Sequence, residues 1–106
     1  MRDFKWSRGE KIAAQKAFDL ALTREFEAVM TEAKRRAAQA KDIDDLWNLQ
    51  GYLFRTRKEI ENKFDYRYSV LIFVFARLIA DGQLSEEELL GIGEDKLDAI
   101  RLILSR

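Results

Sequence analysis

The chain has 106 residues, enough for one domain with a single core, and carries 19 Lys and Arg against 19 Asp and Glu. This balance argues against a general nucleic-acid or anionic-membrane binder, because such a protein would carry a basic excess. It also means that net charge does not oppose self-association. Because the chain has no His and no Cys, a Ser-His-Asp triad, a cysteine nucleophile, a typical zinc site and a disulfide framework are excluded.

No targeting or membrane-spanning segment is predicted. The N-terminus, Met1 to Lys5, lacks the apolar region of a secretory signal. The longest apolar run, Val70 to Ala76, is far shorter than the ~20 residues that span a bilayer. We therefore expect no membrane insertion and a cytoplasmic location.

A capping box marks the start of the first predicted helix, because the Ser7 hydroxyl can satisfy a free backbone N–H and Glu10 can reach back to the cap. The helix is predicted to run from about Arg8 to Ala40, roughly 45–50 Å at ~1.5 Å per residue. A near-heptad seam follows it and consists of Leu22, Phe26, Val29, Ala33, Arg36 or Ala37, and Ala40. A helix this long needs a partner for its apolar stripe. We expect its small residues to allow a close helix–helix interface at Ala33, Ala37 and Ala40.

A second helix is predicted from the cap at Asp42 to about Lys63, with Asp44 and Asp45 complementing the positive helix end. Because the link at Lys41 is short, the two helices should form an antiparallel hairpin. Asp44 and Asp45 could also pair as a catalytic acid and base. Adjacent helical residues point about 100° apart, however, so capping explains them better.

Two unlike faces run along this second helix. One has the spacing that buries a helix side and consists of Leu46, Leu49, Leu53 and Ile60. The other lies roughly 140° away at about 100° per residue. It consists of Trp47, Gln50, Gly51, Phe54, Arg57 and Lys58. Because Trp and Arg are enriched at association hot spots, this strip is predicted to be the partner or dimer interface. The alternative is that Trp47 caps the core of its own subunit.

The third predicted helix runs from near Tyr66 to Ala80 and ends at Gly82. Its segment 69–76 is apolar on every side, so it should be the central buried element. A second capping box, Ser85–Glu88, opens a short helix to Leu90.

A final amphipathic helix is predicted from Glu94 to Leu104. The sequence thus predicts an all-α single domain over residues 1–106. We expect a long hairpin stalk at about 8–64, a small C-terminal helical head at about 65–106, and a dimeric helical bundle.

An acidic segment and two basic clusters are also candidate ligand sites. The segment 81–88 has the acidic character of a calcium loop, but Ile92 stands at the twelfth position, where a bidentate Glu is needed. The basic clusters Lys34–Arg36 and Arg55–Lys58 could meet phosphates. Acidic neighbours balance them, so solvated faces or interhelical salt bridges explain them better, and no nucleic-acid binding is predicted.

Segments along nearly the whole chain share their order and spacing with a known family. They are Trp6-Ser7, Arg24-Glu25, Ile43-Asp44-Asp45-Leu46-Trp47, Leu49, Leu53, Arg57-Lys58-Glu59-Ile60, Lys63-Phe64-Asp65, the run Ser69 to Ala76, and Asp95-Lys96. Together they resemble the fluorescence recovery protein family. The resemblance implies an all-helical homodimer that binds the C-terminal domain of the photoactivated orange carotenoid protein and speeds its return to the resting orange form. It implies a regulator and not an enzyme, without a cofactor of its own.

The resemblance also implies roles for particular residues. The family's important tryptophan falls on Trp47, its important arginine on Arg57, and a head-domain phenylalanine on Phe73. Phe73 and Lys96 are therefore the predicted contacts of the head with a partner.

The chain departs from the family pattern at two places. Gln50-Gly51 stands where the family typically has His-Asp, and Tyr52-Leu53-Phe54 stands where it has Phe-Leu-Ser. A Gly in place of an acid removes any ion pair with the carotenoid protein at that spot. The alternative prediction is a fluorescence-recovery-protein-like dimeric scaffold for a different protein partner, in an organism without carotenoid photoprotection. In a cyanobacterium we expect the protein to be peripheral to the thylakoid or phycobilisome.

Overall fold

The computed structural model describes residues 3–106 and builds this part of the chain from helices alone. The α-helices are α1 (Arg8–Gln39), α2 (Ile43–Lys63), α3 (Leu71–Ala80) and α4 (Glu94–Leu104), and a 3₁₀-helix at Glu86–Ile92 precedes α4. Met1 and Arg2, the start of the segment predicted to lack a signal, lie outside the described residues. The all-α prediction is confirmed.

The first two helices form the predicted hairpin. At the start of α1, the Ser7 hydroxyl accepts from the Glu10 N–H at 3.1 Å, and the Glu10 carboxylate accepts from the Ser7 N–H at 2.8 Å. Asp42 caps α2 by accepting from the Asp45 N–H at 3.1 Å. The molecule measures 53 × 22 × 22 Å. Its length comes from the hairpin, which projects from the rest of the fold.

The core lies at one end of the molecule, where α3, the 3₁₀-helix and α4 surround the first half of α1. Leu71, Phe75 and Leu78 of α3 are fully buried. The buried side chains of α1 are Ala14, Ala17, Phe18 and Ala21. Because three of these four are alanines, the head helices approach α1 closely. The head therefore includes the first half of α1, and the stalk consists of the second half of α1 together with α2.

The third helix begins later than the sequence predicts, at Leu71 and not near Tyr66. The preceding segment is held by aromatic packing instead of helical hydrogen bonds. The ring of Phe18 meets those of Phe64 and Tyr66 edge-on, at centroid distances of 5.4 and 4.8 Å. Trp6 contacts Tyr68 at 5.4 Å. These contacts hold residues 64–68 against the N-terminal part of the chain, outside any helix.

Ion pairs fix the stalk to the head. Lys63, at the end of α2, lies 2.7 Å from Asp81 and 3.8 Å from Glu25. Arg24 of α1 donates to both carboxylate oxygens of Glu88, at 2.8 and 2.7 Å. These hydrogen bonds lower the pKa of Glu88 to about 2. The helical hairpin is therefore joined to the head by charged contacts on α1 and α2.

Candidate functional site

One side of the stalk carries a row of large apolar side chains that its own subunit leaves uncovered. We refer to them as the apolar face; they are Phe26, Met30, Leu46, Trp47, Leu53 and Phe54, and each is between 38% and 62% exposed. Exposed apolar residues in such number on one part of a small protein are typical of a binding surface.

The two stalk helices contribute to the apolar face together. On α1, Phe26, Met30, Ala33 and Ala37 recur three to four residues apart and so share one side of the helix. A groove of about 490 Å³ runs between this side and α2. It is lined by Phe26, Val29, Leu53, Thr56, Arg57, Ile60 and Glu61. The groove is largely apolar and opens to solvent along the hairpin.

The opposite side of the hairpin is polar. A hollow near the turn of the hairpin is lined by Arg35, Arg36, Gln39, Ala40, Asp45, Asn48 and Leu49. Hydrogen bonds from Arg35 and Arg36 lower the pKa of Glu32 to about 2. The Arg36 guanidinium also lies over the Tyr52 ring at 4.2 Å, which ties the two helices together. The stalk thus has one polar side and one side with exposed apolar side chains.

The strip predicted on α2 lies on or beside the apolar face. Trp47, Gln50, Phe54, Arg57 and Lys58 are exposed, and Gly51 is half-buried. The Trp47 indole is 59% exposed, so the alternative in which it caps the core of its own subunit is wrong.

The predicted separation of a core stripe from this strip is wrong in part. Of the described residues of α2, Ile60 alone is buried, whereas Leu46 and Leu53 are 42% and 38% exposed. The reason is that α2 packs mainly against α1, which covers a narrower arc of α2 than a full core would. The exposed leucines adjoin Trp47 and Phe54, and the two apolar strips merge.

The small residues of α1 show a graded exposure. Ala37 is exposed, and Ala33 and Ala40 are half-buried. Ala33 and Ala37 extend the apolar face towards the turn of the hairpin, and Ala40 forms the C-cap of α1.

The charged groups of the predicted strip already have contacts within their own helix. Arg57 donates to Glu61 at 3.0 Å, and the Lys58 ammonium lies 4.5 Å from the centre of the Phe54 ring. A second protein covering this surface would meet Arg57 paired with a carboxylate, whereas the Lys58 ammonium lies against an aromatic ring and keeps its full charge.

On the head, Phe73 lies beside a shallow hollow of about 230 Å³. The ring is 45% exposed although its helix neighbours Ile72 and Val74 are buried. The hollow is lined by Asn62, Lys63, Asp65, Val70, Phe73, Val74 and Arg77. The Phe73 ring is therefore exposed on the head, and its contact with a partner stays a prediction.

Lys96 is placed differently from the prediction. Its side chain is 1% exposed, and its ammonium lies 3.1 Å from Glu10 and 3.5 Å from Asp95. The Trp6 ring covers the ammonium at 4.9 Å. The prediction that Lys96 contacts a partner is wrong, because its charge is enclosed by its own subunit, where it holds the start of α1 against the start of α4.

A family model described as the photoprotection regulator fluorescence recovery protein matches residues 6–104. The chain belongs to the fluorescence recovery protein family.

Individual members are similar in both sequence and fold. The chain is 39% identical to the fluorescence recovery protein of Synechocystis sp. PCC 6803 over 98 residues, which are 92% of this chain and 90% of that protein. The solved structure of the Fremyella diplosiphon fluorescence recovery protein is 44% identical, with a TM-score of 0.89 over 96% of this chain and 99% of that one. The Synechocystis structure is 37% identical, with a TM-score of 0.90 over 96% and 100%.

The family assignment made from short segments of sequence is confirmed. For a member of the fluorescence recovery protein family, sequence reasoning nevertheless overlooked part of the apolar face. It placed Phe26 in the near-heptad seam of the first helix but not among the predicted interface residues, and it did not use Met30. The three-to-four-residue spacing from Phe26 through Met30 to Ala33 and Ala37 is the signal that could have located this surface.

Proposed function

We propose that this protein is a homodimer whose two stalks pair through the apolar face. The observation that carries the proposal is the exposure of six large apolar side chains along the hairpin, in a chain with a formal net charge of zero. A second copy would cover Trp47, Phe54 and the groove between α1 and α2. The pairing of two helical hairpins would complete a four-helix bundle, which supplies the packing that each α2 lacks in one copy.

The dimer acts as a photoprotection regulator that binds the photoactivated orange carotenoid protein and speeds its return to the resting form. Membership of the family supports this role. A binding protein can shift or speed such an interconversion only by differential affinity for its states. In this proposal the regulator prefers the photoactivated form or the transition towards the resting form, and it does so without a cofactor or a catalytic step of its own.

The head offers the contact for this partner. Phe73 is exposed beside a hollow that also has Arg77 on its wall. An exposed ring next to a shallow hollow and a guanidinium combines apolar area with an oriented charge, as hot spots do. The stalk would then set the spacing between the two heads of a dimer, and each head would present one Phe73.

The test is the rate of dark recovery of purified, photoactivated orange carotenoid protein, followed by its absorbance. Saturating regulator should raise the rate, and Phe73→Ser should reduce this effect while leaving the dimer intact. Leu102→Ser is the matched control, because Leu102 is also an exposed apolar residue of the head, 58% exposed, on α4. An unchanged recovery rate at saturating wild-type protein would eliminate the carotenoid role.

A second candidate is a dimeric scaffold for a different protein. The observation that favours it is the uncharged pair Gln50-Gly51 on the exposed side of α2, where no acid is available to an oriented partner. It predicts that recovery of the carotenoid protein is unaffected while the dimer forms normally. Capture of the carotenoid protein alone from the native cell extract would contradict it.

A further inference from the structure

Two carboxylates in or beside the shallow hollow on the head are already held by cations of the same subunit. Both oxygens of Asp65 accept hydrogen bonds from the Arg67 guanidinium, at 2.6–3.0 Å. Asp81, the C-cap of α3, lies 2.7 Å from the Lys63 ammonium at the end of α2. The Lys63 side chain is only 9% exposed, so water competes little for its charge. Both carboxylates are thus taken up within the subunit.

Arg77 lines the same hollow, and its donors are not used in the described part of the chain. Its ion pair with Asp81 measures 3.7 Å, from Nε to the same oxygen that the Lys63 ammonium approaches to 2.7 Å. A hydrogen bond between charged groups is roughly 2.7–2.9 Å long, so this contact is too long to be one. The Arg77 side chain is 61% exposed. A guanidinium with free donors therefore stands at the wall of the hollow.

The Phe73 ring and the Arg77 guanidinium form one surface, because residues four apart share a side of α3. The ring is 45% exposed and supplies apolar area. The guanidinium presents its N–H groups in a planar fork that matches the geometry of a carboxylate. Around the hollow three cations, Lys63, Arg67 and Arg77, stand against the two carboxylates. Because the excess is positive, the charge complementary to this surface is negative.

We propose that Arg77 binds a carboxylate of the protein partner and that Lys63 keeps this position open by holding Asp81. The inference rests on the proposed function, in which the head contacts the partner through Phe73, and it adds the chemistry of the docking segment. That segment presents an Asp or Glu next to an apolar side chain. The acid binds the guanidinium while the apolar group packs on the ring. A surface without an acid at this place would cover the guanidinium and leave it unpaired, which disfavours other proteins.

Asp81 is the internal competitor for the partner's carboxylate. Asp81 and Arg77 lie four residues apart, a spacing at which opposite charges pair along a helix. The Lys63 ammonium draws the Asp81 carboxylate to itself and so prevents this pairing. Because Lys63 belongs to α2 and Arg77 to α3, the junction between stalk and head determines whether the docking position is free. Lys63 is in this sense a positioning residue for the contact that Arg77 makes.

The test is the concentration of regulator that gives half of the maximal rate of dark recovery of photoactivated orange carotenoid protein. Arg77→Gln should raise this concentration about tenfold at low salt, because the partner's carboxylate loses its cation. Arg77→Lys should raise it less, since it keeps the charge and loses the fork. The matched control is Arg8→Gln, which removes an exposed arginine of α1 that does not line the hollow. This control should leave the half-saturating concentration nearly unchanged.

The role of Lys63 is tested by rescue. Lys63→Met should raise the half-saturating concentration about threefold, because Asp81 then pairs with Arg77. Adding Asp81→Asn removes the competing charge and should restore the wild-type value, although it restores no contact between stalk and head. A merely structural role of Lys63 would instead leave the double variant as weak as Lys63→Met. Circular dichroism of each variant checks that the helices are intact.

The outcomes separate this inference from the proposed function. A wild-type protein that leaves recovery unchanged at saturation would overturn both together. If the wild type speeds recovery, the carboxylate contact alone is overturned by an unchanged half-saturating concentration for Arg77→Gln, or by an equal rise for Arg8→Gln. Failure of Asp81→Asn to rescue Lys63→Met would overturn the positioning role of Lys63.

Discussion

The enclosed ammonium of Lys96 leads to a prediction about the stability of the head. Lys96→Met removes the charge and keeps most of the side-chain volume. Removing one partner of a buried ion pair costs roughly 3–5 kcal/mol. Glu10 and Asp95, the two carboxylate partners, are 21% and 50% exposed, so water can solvate part of the charge left behind. We therefore expect a loss of about 2 kcal/mol in the free energy of unfolding, or about 8–16 °C in Tm for a domain of this size.

The assay is urea unfolding followed by circular dichroism at one fixed protein concentration, because the proposed dimerisation would make the apparent stability depend on concentration. Lys16→Met is the control, since Lys16 is exposed on α1. Adding Glu10→Gln should cost less in the Lys96→Met background than in the wild type, because the pair is already broken. If the free energy of unfolding of Lys96→Met lies within about 0.5 kcal/mol of the wild-type value, the claim that Lys96 stabilises the head through its buried ion pair is refuted.

Three further perturbations test other parts of the structure. Trp47→Glu should raise the dimer dissociation constant at least about a thousandfold, because each copy would bury an unpaired carboxylate. The same charge introduced by Asn48→Glu should leave the dissociation constant nearly unchanged. Sedimentation velocity of both variants checks this. Glu88→Gln should cost about 1 kcal/mol of unfolding free energy at pH 7 by breaking the pair with Arg24. Since the pKa of Glu88 falls from 4.5 to about 2 on folding, its contribution is present above pH 4.5 and is lost as the pH falls towards 2. The gap between wild type and variant should therefore close in acid, and a constant gap across an acid titration would contradict the pairing. Gly82→Ala should destabilise the fold by about 1 kcal/mol in thermal melts, because the φ of +78° at Gly82 disfavours a side chain, and an unchanged Tm would argue against this turn.

The helix boundaries could be predicted where the determining contacts are local. Ser7 and Glu10 lie three residues apart and act on the same turn, and Asp42 caps α2 in the same way. The late start of α3 depends instead on Tyr66 and Tyr68, whose rings pack against Phe18 and Trp6. No periodicity near residue 66 reveals these distant partners, so the sequence could not place that boundary.

The candidate site divides in a similar way. Exposure of Trp47 and Phe54 follows from their positions on α2, because a helix with one neighbour can bury only one side. The breadth of the apolar face depends on the rotation of α1 and α2 about their own axes where they pack together. This rotation leaves Leu53 exposed. The burial of Lys96 depends on Glu10, 86 residues away in sequence, and no local pattern connects them.

The central claim is that the apolar face of the stalk is turned away from its own subunit in order to pair with a second copy. Light scattering during size-exclusion chromatography, over a range of protein concentrations, measures this most directly. We predict a mass of twice the 12.4 kDa chain at micromolar concentration, with dissociation only on strong dilution. A mass of one chain at every concentration would contradict the account.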